Sequence, residues 1–136
     1  MNIEQKRIRF YRPDENSLTI WLDSDGLINI DFGTELVTTE NVKWAMKQHR
    51  ELAPHGKSGV LLTAQSSTRV DSGIREATTN DQAKAQVRGL ALLPTATIGW
   101  VMAKLYLKMV KTPYPTRVFR SREEARDWLL SLESHT

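Results

Sequence analysis

Few residues of this chain have side chains suited to chemistry, and their spacing favours structural roles. The sequence contains no cysteine, which excludes thiol catalysis, disulfides and cysteine-bound metal centres. Its three histidines are His49, His55 and His135. We expect His49 to pack on the inner edge of a helix and His55 to be exposed in a turn. Neither histidine has a second imidazole or carboxylate at the helical spacing that zinc requires, so no metal site is predicted.

The acidic run Asp23-Ser24-Asp25-Gly26 has the alternating carboxylates with which a calcium loop begins. A calcium loop also needs a glutamate at its twelfth position and helices on both sides. Here Glu35 misses that position by one residue, and the flanking segments have the pattern of strands. We therefore interpret the run as a hairpin turn.

Catalytic and cofactor-binding motifs are missing from the sequence. It has no Gly-x-Ser-x-Gly elbow, no glycine-rich phosphate loop and no His-Glu-x-x-His helix. We therefore predict no catalytic residue and no cofactor, and expect a protein that is not an enzyme.

The segment Asp71-Ser72-Gly73 precedes a predicted helix that reaches toward Gln86. The free N–H groups and the positive dipole end of a helix N-terminus favour an anion there. Phosphorylation of Ser72 would add about −2 of charge. Two interpretations stay open, a simple helix cap formed by Asp71 and Ser72, and an anion or phosphorylation site at these three residues.

Charge is separated along the 136-residue chain, whose net charge is +3. Residues 14–40 hold seven acidic and no basic residues, whereas residues 82–122 hold eight basic and no acidic ones. On the helix predicted after Pro94, one set of residues lies opposite the apolar stripe. We call this set the lysine surface: Trp100, Lys104, Leu107, Lys108 and Lys111.

Two functional interpretations of the lysine surface follow, docking of an acidic protein partner and self-association, which includes a homodimer. A solvated basic face is the structural alternative. Nucleic acid is not expected as a partner, because the aromatic residues are not interleaved with Lys and Arg as a stacking platform requires.

The elements that position these residues follow from hydrophobic periodicity. Alternation around Ile8 and then over 18–22 and 27–30 predicts strands, the last two joined by the 23–26 turn. A helical period over 39–53 predicts an amphipathic helix that Thr39 caps and Pro54 ends.

The rest of the chain alternates strands and helices. Apolar runs at 60–63 and 87–93 predict buried strands, with the helix that begins at Asp71 or Ser72 between them. A strongly apolar helix follows from Thr95 to before Pro113, then a strand at 116–120. Ser121 and Glu124 form a capping box for a final helix with Ala125, Trp128, Leu129 and Leu132 on one face.

This order predicts a single α/β domain over residues 1–136, with 133–136 as a frayed tail. Short connections between alternating strands and helices imply mostly parallel strands joined by right-handed crossovers, preceded by an N-terminal hairpin.

The order of elements and several C-terminal patterns resemble the STAS domain, the fold of the anti-sigma factor antagonist SpoIIAA, and in particular a branch of small bacterial proteins. The residues that carry the resemblance are Leu90-Ala91-Leu92-Leu93, Tyr114-Pro115-Thr116-Arg117-Val118-Phe119, Glu124-Ala125 and Trp128-Leu129. The resemblance implies a SpoIIAA-like fold and no agreed activity. Together with the separated charges and the missing catalytic motifs, it leads us to expect a non-enzymatic regulatory domain that acts through protein contacts. Asp71-Ser72-Gly73-Ile74 also resembles the antagonists' Asp-Ser-Ser-Gly turn, which implies that Ser72 is a kinase target, although the second serine is missing.

A second function is kept open by the likeness of this fold to the lipid-binding CRAL-TRIO fold. It would place a small molecule or lipid in an apolar pocket under the long helix, bounded by Trp100, Met102 and Met109.

Membrane and export signals are not expected. The charged N-terminus does not resemble a signal peptide, and the longest charge-free stretch, 89–103, is interrupted by Pro94. We therefore predict no membrane span and a cytoplasmic protein.

Overall fold

The computed structural model describes residues 7–9, 18–32, 38–64, 74–94, 104, 108 and 111–133. In these ranges one sheet contains six strands in chain order: β1 (Arg7–Arg9), β2 (Thr19–Leu22), β3 (Ile28–Asp31), β4 (Ser58–Ala64), β5 (Val87–Pro94) and β6 (Thr116–Val118). The helices with described bounds are α1 (Thr39–Leu52), α2 (Ile74–Thr79), α3 (Asp81–Gln86) and α4 (Arg122–Glu133). Lys104 and Lys108 are also helical.

The sheet is mixed. Strands β1, β2 and β3 pair antiparallel, and β3 to β6 pair parallel. The antiparallel part turns at Gly26, whose φ of 81° is left-handed and suits glycine. The predicted α/β class is confirmed, as is the N-terminal hairpin followed by mostly parallel strands.

Helices cover both faces of the sheet because side chains alternate along each strand. One face buries Ile28, Val60 and Leu90 against α1, α2 and α3. The other buries Leu61 and Ala91 against α4. The stripe predicted on the final helix is confirmed, since Ala125 and Leu129 are fully buried and Trp128 and Leu132 pack beside them.

Two glycines let α4 approach the sheet closely. A Cβ atom at Gly59 would lie 3.0 Å from Leu27 Cδ2 and 3.3 Å from Leu129 Cβ. A Cβ atom at Gly89 would overlap Leu132 Cδ1. A larger residue at Gly59 would need Leu27 and Leu129 to give way by a few tenths of an ångström, whereas at Gly89 the end of the Leu132 side chain would have to rotate aside.

Two predictions about helix ends are wrong. The helix expected to run to Gln86 is two short helices, because the Asn80 side chain accepts a hydrogen bond from Ala83 N at 2.9 Å and starts α3 anew. The cap of α1 is Thr38, not Thr39, since Thr38 Oγ1 accepts from Asn41 N at 3.2 Å. One half of the capping box predicted for α4 is present, with Glu124 N donating to Ser121 Oγ at 3.3 Å.

The helices in the described ranges are too short or too polar to cross a membrane.

Candidate functional site

The structure describes only part of the predicted site residues. Lys104, Lys108 and Lys111 of the lysine surface are exposed, and the first two lie one helical turn apart. The remaining predicted residues lie outside the described ranges: Asp71, Ser72, Gly73, Trp100, Met102, Leu107, Met109 and His135.

A second basic surface lies on α1, where Lys43, Lys47 and Arg50 are all exposed. Their spacing of four and then three residues places them on one side of the helix. Within the described ranges, no carboxylate oxygen lies within 4.0 Å of their side-chain nitrogens. Their positive charges are therefore not offset by ion pairs in this part of the chain.

An open groove of about 290 Å³ runs between this side of α1 and the pair α2–α3. We call it the α1 groove. The residues that line it are Lys43, Met46, Lys47, Arg50, Ala77, Asn80 and Gln82. Its rim is cationic along α1, and the residues that line its other wall, Ala77, Asn80 and Gln82, carry no charge.

Hydrogen bonds between distant elements fix the walls of the α1 groove. The amide of Gln86, which is 4% exposed, donates to the Met46 carbonyl at 2.9 Å and joins α3 to α1. The Tyr114 hydroxyl donates to the Thr78 carbonyl at 2.8 Å and joins α2 to the segment before β6. A buried donor keeps its partner because losing it leaves a desolvated polar group.

The acidic turn at 23–26 is tied to α4 by a polar network. Asp23 accepts from the Asn29 amide at 2.8 Å, and the buried Asn29 accepts from Arg122 at 2.8 Å. Arg126 donates twice to Asp25, at 2.7 and 3.1 Å. The hydrogen bond from this guanidinium lowers the pKa of Asp25.

These contacts confirm that the 23–26 run is a hairpin turn. Asp23 Oδ1 additionally accepts from the backbone N–H groups of Asp25 and Leu27, so its oxygens are already occupied by donors. Among the described residues, no three His, Asp or Glu side chains come together where they could hold a metal ion.

His49 lies in the core, on the inner side of α1 as predicted. It is 1% exposed, and its Nε2 atom has no hydrogen-bond partner among the described residues. Burial lowers the pKa of His49 to about 4, because the apolar surroundings disfavour the charged imidazolium. The side chain is thus neutral near pH 7 and inaccessible to a substrate in solution. His55 is exposed, as predicted.

Two of these arrangements were not predicted from the sequence. The basic residues of α1 could have been found from the helical spacing of Lys43, Lys47 and Arg50. The opposite wall of the α1 groove could not, because it depends on where α2 and α3 pack. The bond between Asn29 and Arg122 joins residues 93 positions apart and has no local signal.

Fold and site together define a small α/β domain with a mixed sheet, helices on both faces and exposed cationic surfaces. The chain belongs to the family described as "Domain of unknown function (DUF7793)", whose model matches residues 20–133. A comparison with curated proteins finds no match.

Among solved structures, the chain is similar to an uncharacterized protein of the DUF3478 family from Shewanella loihica PV-4, which has a SpoIIAA-like fold. The two chains share 11% sequence identity with a TM-score of 0.48, over 95% of this chain and 98% of that chain.

Proposed function

We propose that this protein is a non-catalytic regulatory domain that binds an acidic partner protein through its lysine surface. The observation that carries the proposal is the exposure of Lys104, Lys108 and Lys111 in a part of the sequence, 82–122, that contains no acidic residue. Lys104 and Lys108 lie one helical turn apart, so they present two positive charges on one side of the helix to an acidic partner. Complementary charge also speeds association and selects among partners.

An acidic partner is favoured over a second copy of the chain meeting at the same surface. In a two-fold dimer the same patch lies on both sides of the interface, so lysines would face lysines. Such an arrangement costs free energy unless other contacts offset it.

A non-catalytic role is supported by the hydrogen bonding and burial of polar side chains in the described ranges. Asp23 and Asp25 already accept hydrogen bonds from the hairpin and from α4. His49 is buried, with a lowered pKa. These groups stabilise the fold and are poorly placed to meet a substrate.

The test is affinity purification with matched charge variants. One variant carries Lys104→Glu and Lys108→Glu. The control carries Lys57→Glu and Lys84→Glu, which change the net charge equally at exposed positions elsewhere. Each partner is identified by mass spectrometry, purified and titrated against all three proteins.

We expect the first variant to bind the purified partner at least about fivefold more weakly than wild type, and the control to bind normally. Wild-type affinity should fall as salt screens the charges. Equal binding of the partner by both variants would contradict the proposal. So would a dimeric mass for the wild-type protein in light scattering together with a monomeric mass for the Lys104/Lys108 variant, because the surface would then bind a second copy.

A further inference from the structure

We propose that the α1 groove is a second protein-binding site, which takes an acidic amphipathic helix of a partner protein. This site lies on α1, α2 and α3, is separate from the lysine surface in sequence, and does not depend on it.

The positive charges along the groove indicate that its occupant carries negative charges at a matching spacing. Lys43, Lys47 and Arg50 span seven residues of α1, which is about 10 Å along the helix axis. On the opposite wall, Asp81 lies next in the chain to the lining residue Gln82 and is 3.9 Å from Lys84. A partner helix with carboxylates at the same spacing of four and three residues would place one carboxylate near each cation.

The lining between the cations favours an amphipathic segment over a purely acidic one. Half-buried Met46 and buried Ala77 give the groove an apolar floor, and a methionine side chain adapts readily to different partners. Asn80 and Gln82 add a polar wall. Apolar residues of the partner helix would cover this floor while its carboxylates meet the rim, the usual helix-in-groove arrangement.

The shape of the groove favours a protein segment over a small ligand. Small-molecule sites enclose most of the ligand's surface, whereas this groove of about 290 Å³ is open along one side. A helix laid along α1 would place side chains into this groove and keep the rest of its surface outside it. Because Gln86 and Tyr114 already fix the walls, little ordering would be needed on binding.

The test uses a fluorescein-labelled synthetic helix of about 15 residues as the probe. It carries Glu at three positions spaced by four and three residues, with Leu on the adjoining stripe. A second peptide has Gln in place of each Glu. Fluorescence anisotropy measures binding of both peptides to the full chain at low and at physiological salt.

Two triple variants separate this site from the lysine surface. The groove variant carries Lys43→Glu, Lys47→Glu and Arg50→Glu. The control carries Lys57→Glu, Lys104→Glu and Lys108→Glu, which gives the same net charge while also altering the lysine surface. All six positions are exposed, and circular dichroism verifies that both variants fold.

We expect the Glu peptide to bind wild type at least about tenfold more tightly than the Gln peptide does. The groove variant should lose at least about tenfold in affinity, and the control variant less than about twofold. Amide chemical-shift changes should map to α1, α2 and α3.

Equal affinity of the groove variant and wild type would overturn the proposal, and so would shift changes confined to residues near Lys104 and Lys108. Tighter binding of a single-stranded oligonucleotide than of the Glu peptide would overturn the assignment of a protein partner. A failure here leaves the partner at the lysine surface untouched, because that surface is tested with different variants.

Discussion

Acidification from pH 7 to pH 4 should destabilise this protein through one buried side chain, His49. The imidazole is 1% exposed and neutral in the folded protein, with a pKa lowered from 6.5 to about 4 by desolvation. In the unfolded chain the same group titrates near its ordinary value. Below about pH 6.5 the unfolded state therefore binds a proton that the folded state does not, and stability must fall as pH falls.

The size of the effect follows from the two pKa values. Above about pH 6.5 the contribution of His49 to the free energy of unfolding does not change with pH. Below that value it falls by about 1.4 kcal/mol for each unit by which the pH is lowered, until His49 is protonated in the folded protein as well. With a folded-state pKa of about 4, the loss reaches about 3 kcal/mol. That is a large share of the ~5–15 kcal/mol that stabilises a typical domain.

Urea unfolding of wild type at several pH values between 7 and 4.5 measures this loss. His49→Leu keeps an apolar side chain of similar size in the core and should abolish most of the pH dependence in that window. His55→Gln, which changes an exposed histidine, is the matched control and should keep it. The lowered pKa of Asp25 acts only at more acidic pH, because its stabilisation is complete above the unfolded-state value of 3.8.

Equal loss of stability by His49→Leu and wild type between pH 7 and pH 5 would show that His49 is not the source of the pH dependence. Loss of the pH dependence in His55→Gln would show the same.

Three further substitutions test the packing that positions the site. Gly59→Val should lower the free energy of unfolding by about 1–3 kcal/mol, because its side chain meets Leu129, and an unchanged urea midpoint would contradict this. Arg122→Ala should cost about 1–3 kcal/mol by leaving the buried Asn29 oxygen without its donor, and a wild-type melting temperature would show that water replaces the guanidinium. Tyr114→Phe should cost about 1 kcal/mol and speed hydrogen exchange in α2, and equal exchange rates in the two proteins would argue against the bond to α2.

Local patterns in the sequence determined most of the elements and the fold class. Alternating apolar residues mark β2 and β3, and the spacing of Ala125 and Leu129 with the Ser121 cap marks α4. These signals are reliable because each depends on a repeat or cap within one element, and burial of one side of that element follows directly. The parallel pairing of β3 to β6 follows as well, since a helix between two strands brings them into the same direction.

Only the tertiary structure decided how these elements meet. The break at Asn80 was not predicted because α2 and α3 are short. Among their described side chains only Ala77, Ala83 and Gln86 are buried, which is too few for a clear apolar stripe. The α1 groove required the positions of three helices at once. A sequence shows which residues share one side of a helix, but the neighbour that this side meets is set by packing between segments far apart in the chain.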